Sequence, residues 1–127
     1  MKQWFALAGL AALTVTAHAQ NYPGSKPVTL VVPFTAGGPT DRVARDLAEA
    51  MRKYLPGSNF VVENAAGAGG TIGANKVARA APDGHTLLVF HIGMAATPAL
   101  YRKIPYKALD DFEYLGMIND VPMTLIG

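Results

Sequence analysis

From Pro27 onward, short apolar runs alternate with longer amphipathic ones. "PVTLVVPF" (Pro27–Phe34) is nearly continuous and rich in β-branched residues, as in a strand covered on both faces. The next segment sets Val43, Leu47, Met51 and Tyr54 or Leu55 along one helical stripe, with Arg42, Arg45, Asp46, Glu49, Arg52 and Lys53 around the rest. Glu49 stands four residues before Lys53, the favourable order for a surface pair, and Pro56-Gly57 ends the helix. "NFVVEN" (Asn59–Asn64) predicts a second strand. A second helix grows out of "AAGAGGTIGA" and runs to about Ala80, with Ile72, Val77 and small alanines as its inner face. "APDGHT" is a turn, with Pro82 preset for its second position and Gly84 free to take positive φ. "HTLLVFH" (His85–His91) predicts a third strand, followed by a short helix around Ala96–Arg102 and by two apolar runs, Glu113–Ile118 and Pro122–Ile126.

Strand, helix, strand, helix, strand predicts an α/β fold: an open, mostly parallel sheet with flanking helices. Both glycine-rich segments fall where a strand's carboxyl end turns into a helix, and in such sheets that edge is where ligands bind.

The first residues break this pattern. In "MKQWFALAGLAALTVTAHAQ", Lys2 supplies a positive start, Trp4 to Val15 an apolar stretch, and Ala17-His18-Ala19 an A-x-A site. The stretch is shorter than the ~20 residues of a membrane span. Residues 1–19 read as a signal peptide cleaved after Ala19, and the mature protein as periplasmic with no membrane insertion. The competing reading is a buried N-terminal helix.

Composition adds little beyond this. A chain of 127 residues fits one domain, and an apolar content of 50% marks it as globular. The net charge of +2 falls to +1 once Lys2 is removed, so no basic stripe supports nucleic-acid binding. With no cysteine, an exported domain relies on its core alone and carries neither a disulfide nor a thiol for a lipid anchor.

The first glycine loop places Gly38 as helix cap and Pro39 as the first helical residue, where its missing N–H costs nothing. Asp41 then falls at the third helical position, where its carboxylate either caps free N–H groups or meets a ligand. The N–H groups of Ala36 to Thr40 are the better candidates for holding an anion. The second loop, "GAGGTIG", fails the dinucleotide fingerprint, because counting from Gly67 and Gly69 puts Ile72 at its last position, and no P-loop run exists. What remains is a second anion-binding helix entry or, alternatively, glycine for close helix packing. Catalytic constellations are missing: Ser25 and Ser58 lie at strand starts, and no G-x-S-x-G occurs. His91 ends the third strand at the ligand edge while His85 begins it at the other, so the two share no metal. His91 reads as a pocket-edge hydrogen bonder or as a plain surface residue. Asp110-Asp111 reads as a solvated or capping feature of a polar turn.

"VPFTAGGPTDRVAR", "VVENAAGAGGTIGA", "APDGHTLLV" and "PALYRKIPYKALDDFEYLG" together resemble four consecutive blocks of the Bug family. These are the TctC-like extracytoplasmic solute receptors of tripartite tricarboxylate transporters. The resemblance covers essentially all of the mature chain. Ala66 stands where a proline is common, His85 where a tyrosine is, and Lys107 where an aspartate is. The resemblance implies a type II periplasmic binding protein of two lobes, closing on a small carboxylate without cofactor, metal or catalysis. It implies membrane subunits of the transporter as partners. It assigns the ligand to the first loop (Phe34, Thr35, Ala36, Gly37, Gly38, Thr40 and Asp41), with the second (Ala66, Gly67, Ala68, Gly69, Gly70 and Thr71) facing the same cleft. By position, the segment from His91 to Thr97 lines it too. Family members are normally about 300 residues, so the chain is expected to be a truncated copy, with residues 20–120 the front of lobe 1 and residues 121–127 the start of the crossover to lobe 2. Two other readings stand beside it. One is a fragment of an exported α/β enzyme, for which only Asp41 and His91 are placed to serve. The other is a solute-sensing module for a membrane kinase.

Overall fold

The computed structural model describes residues 22–120. The expected signal segment, its cleavage site and the run Pro122–Ile126 lie outside the described residues. Three strands, β1 (Val28–Val32), β2 (Phe60–Asn64) and β3 (Thr86–Leu88), form a parallel sheet in the order β2-β1-β3. Val28 pairs with Phe60 and Val32 with Asn64 on one side, while Thr29 to Val31 pair with Thr86 to Leu88 on the other. The helices are α1 (Pro39–Tyr54), α2 (Thr71–Ala78), entered through a 3-10 turn at Ala68–Gly70, and α3 (Gly93–Leu100).

The central place of β1 explains its unbroken apolar run. Val28, Leu30, Val31 and Val32 are all buried, because helices cover both faces. Val28, Leu30 and Val32 pack with α1 around Phe60 and Val89. A second cluster on the opposite face gathers Ala74 of α2, Met94 of α3 and Tyr106, with Leu88, Phe90, Ile104 and Phe112 against them. Helices alternate between faces because each parallel crossover is right-handed and the second one passes back over β1.

Several expectations change in detail. The deepest line of α1 is Asp41, Ala44 and Ala48, with Leu47, Met51 and Leu55 flanking it half-buried; small residues let the helix axis approach the sheet closely. Glu49 pairs with Arg52 at 3.1 Å rather than with Lys53. The second helix ends at Ala78, and its buried positions are Thr71, Gly73 and Ala74, while Ile72 turns outward at 55% exposure. The third strand shrinks to three residues, although the Val89 N–H still reaches the Val31 carbonyl at 3.0 Å. The last helix starts at Gly93, three residues before the expected Ala96, and stops at Leu100. The apolar run Glu113–Ile118 is irregular, with Leu115 and Met117 more than three-quarters exposed. Asp111 caps its turn by accepting from the Lys107 N–H at 2.8 Å.

Candidate functional site

Parallel pairing brings the carboxyl ends of β1, β2 and β3 to one edge, and with them three connecting segments. The first, Pro33 to Gly38, leads into α1. Gly38 is the helix N-cap in an extended conformation (φ −74°, ψ 172°), and Pro39 is the first helical residue, as the sequence predicts. Thr35, Ala36 and Gly37 are exposed. Asp41 is 2% exposed, and its two oxygens accept four hydrogen bonds. Oδ2 accepts from the Gly37 N–H at 2.8 Å and from Arg45 Nε at 2.9 Å, while Oδ1 accepts from Arg45 Nη2 and from Asn64 Nδ2, both at 3.0 Å. The Arg45 hydrogen bonds, then the Gly37 N–H and Asn64, hold the Asp41 carboxyl well below the usual carboxylate range. Asn64 Nδ2 also donates to the Phe34 carbonyl at 3.1 Å, so the end of β2 is tied to the start of the first loop.

The structure shows Asp41 in the bracing role, accepting the Gly37 N–H, and it leaves fewer of the expected backbone N–H groups free. The Gly37 N–H is already taken by Asp41, that of Gly38 faces the Thr35 carbonyl at 3.4 Å, and Pro39 has none. Ala36 and Thr40 remain from the expected range. The Asp41 N–H joins them, since first-turn amides have no intrahelical acceptor. Arg45 balances the buried carboxylate, so the free N–H groups stand beside a neutralised pair.

The second segment turns through four successive left-handed residues, Gly67 (φ 134°), Ala68 (47°), Gly69 (62°) and Gly70 (92°), closed by a 2.9 Å bond from the Gly70 N–H to the Gly67 carbonyl. Ala66 to Gly69 are exposed, whereas Gly70 and Thr71 are buried, and Thr71 Oγ1 donates to the Ala68 carbonyl at 3.0 Å. A side chain at Gly69 would fall on the Tyr101 hydroxyl, and one at Gly70 would stand 2.7 Å from the Phe90 ring and 3.4 Å from Phe34. The third segment presents His91, exposed and stacked on Phe34 with ring centroids 4.6 Å apart and planes 17° apart. Phe34, Phe90 and His91 thus make a contiguous aromatic group where the three segments meet. Thr97 lies a turn into α3 and faces inward, 2% exposed, its hydroxyl donating to the Gly93 carbonyl at 2.8 Å. An open apolar hollow of about 480 Å³ lies to one side, between α3 and Ala108–Tyr114, and meets this edge through His91 and Ile92.

A sequence profile described as "Tripartite tricarboxylate transporter family receptor", TctC, matches residues 43–127. The chain belongs to the TctC receptor family. It is 51% identical over 111 residues to a UPF0065 protein of the TAR-I ttuE-ttuC' intergenic region of Agrobacterium vitis, covering 87% of this chain and 32% of that protein. It is 42% identical over 125 residues to BugT of Bordetella pertussis, covering 97% and 37%. Among solved structures, the periplasmic binding protein BugD matches with a TM-score of 0.65 and 56% identity, over 68% of this chain and 29% of that one. MatC from Rhodopseudomonas palustris with bound malate matches with a TM-score of 0.64 and 53% identity, over the same shares. The chain therefore spans about a third of the length of the curated relatives it matches.

Within this TctC-family chain the sheet edge carries residues that sequence reasoning passed over. Arg45 follows Asp41 by four, a spacing that announces an ion pair on a helix. Asn64 and Tyr101 carry no such local signal, because their partners lie far away in the chain. No helix among the described residues is long and apolar enough to cross a membrane.

Proposed function

We propose that this chain forms one wall of a periplasmic receptor that captures a small carboxylate, di- or tricarboxylic or another organic acid, for a tripartite tricarboxylate transporter. The observation that carries the reading is the meeting of two glycine loops at one sheet edge, with exposed backbone at Thr35 to Gly37 and at Ala66 to Gly69. Main-chain N–H groups at a helix entry favour an anion without a cationic side chain. Asp41 orders the first loop from behind, and Phe34 and His91 flank it. Relatives with this fold include one with bound malate and one with adipate, both carboxylates. The cargo is handed to membrane subunits, and the signal segment is removed after Ala19; intact-mass measurement on periplasmic protein checks the cleavage, and a retained Met1 would refute it.

Titration calorimetry with L-malate, adipate and citrate tests the site. In Gly38→Val the added Cβ would stand 3.3 Å from the Thr35 carbonyl, tighter than ordinary contact, and two methyl groups would extend beyond it. We expect this variant to lose roughly tenfold in affinity, about one hydrogen bond to a charged group. Asp41→Asn should lose less, because it keeps one acceptor oxygen for Gly37. Unaltered binding by Gly38→Val would overturn the assignment of the first loop.

A further inference from the structure

His91 is held by two independent contacts. Its ring lies flat on Phe34, which fixes the plane, and its Nδ1 accepts the Gly93 N–H at 2.9 Å, which fixes the rotation within that plane. A backbone N–H can only donate, so Nδ1 must present its lone pair. In a neutral imidazole the proton then sits on Nε2. Nε2 has no protein partner among the described residues, and the side chain is exposed at the edge where the first loop begins.

We infer that His91 is a specificity-determining residue: a side chain locked with Nδ1 accepting and Nε2–H free, supplying one oriented donor to an acceptor oxygen of the ligand beside the main-chain anion site. The assignment of the tautomer stands on its own, whereas the ligand contact rests on the carboxylate-receptor reading. Such a donor differs from the loop amides in kind. Loop amides accept any carboxylate, while an imidazole N–H fixed against Phe34 rewards a ligand that places a second oxygen, a hydroxyl or another carboxylate, at its reach. Gly93 is the positioning residue. Its backbone is compatible with alanine, but a Cβ there would stand 2.5 Å from His91 Cε1 and 2.9 Å from Nδ1, and must push the ring away.

The test is nitrogen-15 NMR of labelled histidine in the whole chain at about pH 8, with His91→Phe used to assign the signals. We expect His91 Nδ1 to show the shift of an unprotonated nitrogen and Nε2 that of a protonated one. Gly93→Ala should return the ring to a mixture of tautomers. A dominant Nδ1–H form, or a tautomer ratio unchanged in Gly93→Ala, overturns the lock. L-malate is then added as the probe. Movement of the His91 Nε2–H together with the Ala36 and Thr40 amides supports the donor role, and His91→Phe, which keeps a ring on Phe34, should weaken malate binding about tenfold. Movement of the loop amides with His91 unmoved overturns the donor role and leaves the receptor reading intact. No movement at either place overturns both.

Discussion

The two glycine loops are built on opposite principles. Gly37 has positive φ (81°) with nothing within 4 Å of where its Cβ would be, and the loop around it is open and braced from beneath by one carboxylate. In the second loop, side chains at Gly69 and Gly70 would run into Tyr101 and Phe90, and one at Gly73 into Pro33 and the Ala65 carbonyl. Glycine in the first loop leaves backbone bare toward solvent. In the second it mostly admits neighbouring rings and a strand end. The same composition therefore carries reach in one place and packing in the other, and substitution separates the two.

The sharpest contrast comes from Gly70 and Gly73. Gly73→Ala would place its Cβ 2.7 Å from the Pro33 Cβ and 2.9 Å from a backbone oxygen that cannot swing away. Overpacking of this kind costs about 1–3 kcal/mol, and Gly70→Ala adds a left-handed backbone penalty to its clash with Phe90. Both should lower the urea midpoint clearly, and an unchanged midpoint for Gly73→Ala would erase the distinction between the loops. Gly37→Ala should cost only the backbone term, roughly 1 kcal/mol, since its surroundings are empty. A loss as large as that of Gly73→Ala would show that the first loop is packed after all.

The smallest effect concerns the far edge of the sheet. Asp83 pairs with Lys26 and accepts the His85 N–H at 3.0 Å, and these contacts, Lys26 first, hold its carboxyl down at about 2. A depressed carboxyl contributes stability that is full above its unfolded value near 4 and is lost as pH falls toward 2. Asp41 follows the same sign, with its loss at still lower pH. Asp83→Asn should therefore lower stability slightly above about pH 4, with the difference from the unmodified chain vanishing as pH falls toward 2. An acid profile identical to the unmodified chain would remove Asp83 from the account.

Much of the architecture was legible because β1 is central: a run buried on both faces has no polar alternation, and "TLVVPF" shows none. The cap at Gly38, Pro39 and Asp41 was equally local, a matter of residues within one turn. What the sequence hid was non-local. Nothing adjacent to Gly70 announces Phe90, and nothing near Asp41 announces Asn64, whose partners arrive only through strand pairing. The length of β3 was overestimated for a related reason: "VFH" has the composition of a strand, but Phe90 and His91 leave the ladder to pack on Phe34.

Asn64 gives the two loops a shared mechanical state. One amide grips both the Phe34 carbonyl and the Asp41 carboxylate, so the first loop cannot relax without loosening the end of β2 that launches the second. The ordering entropy of the site is thereby settled during folding, well before any ligand arrives. If the proposed carboxylate site is right, its surface should present nearly the same shape to different acids, and exchange of exposed rim residues should change preference while the braced backbone stays as it is.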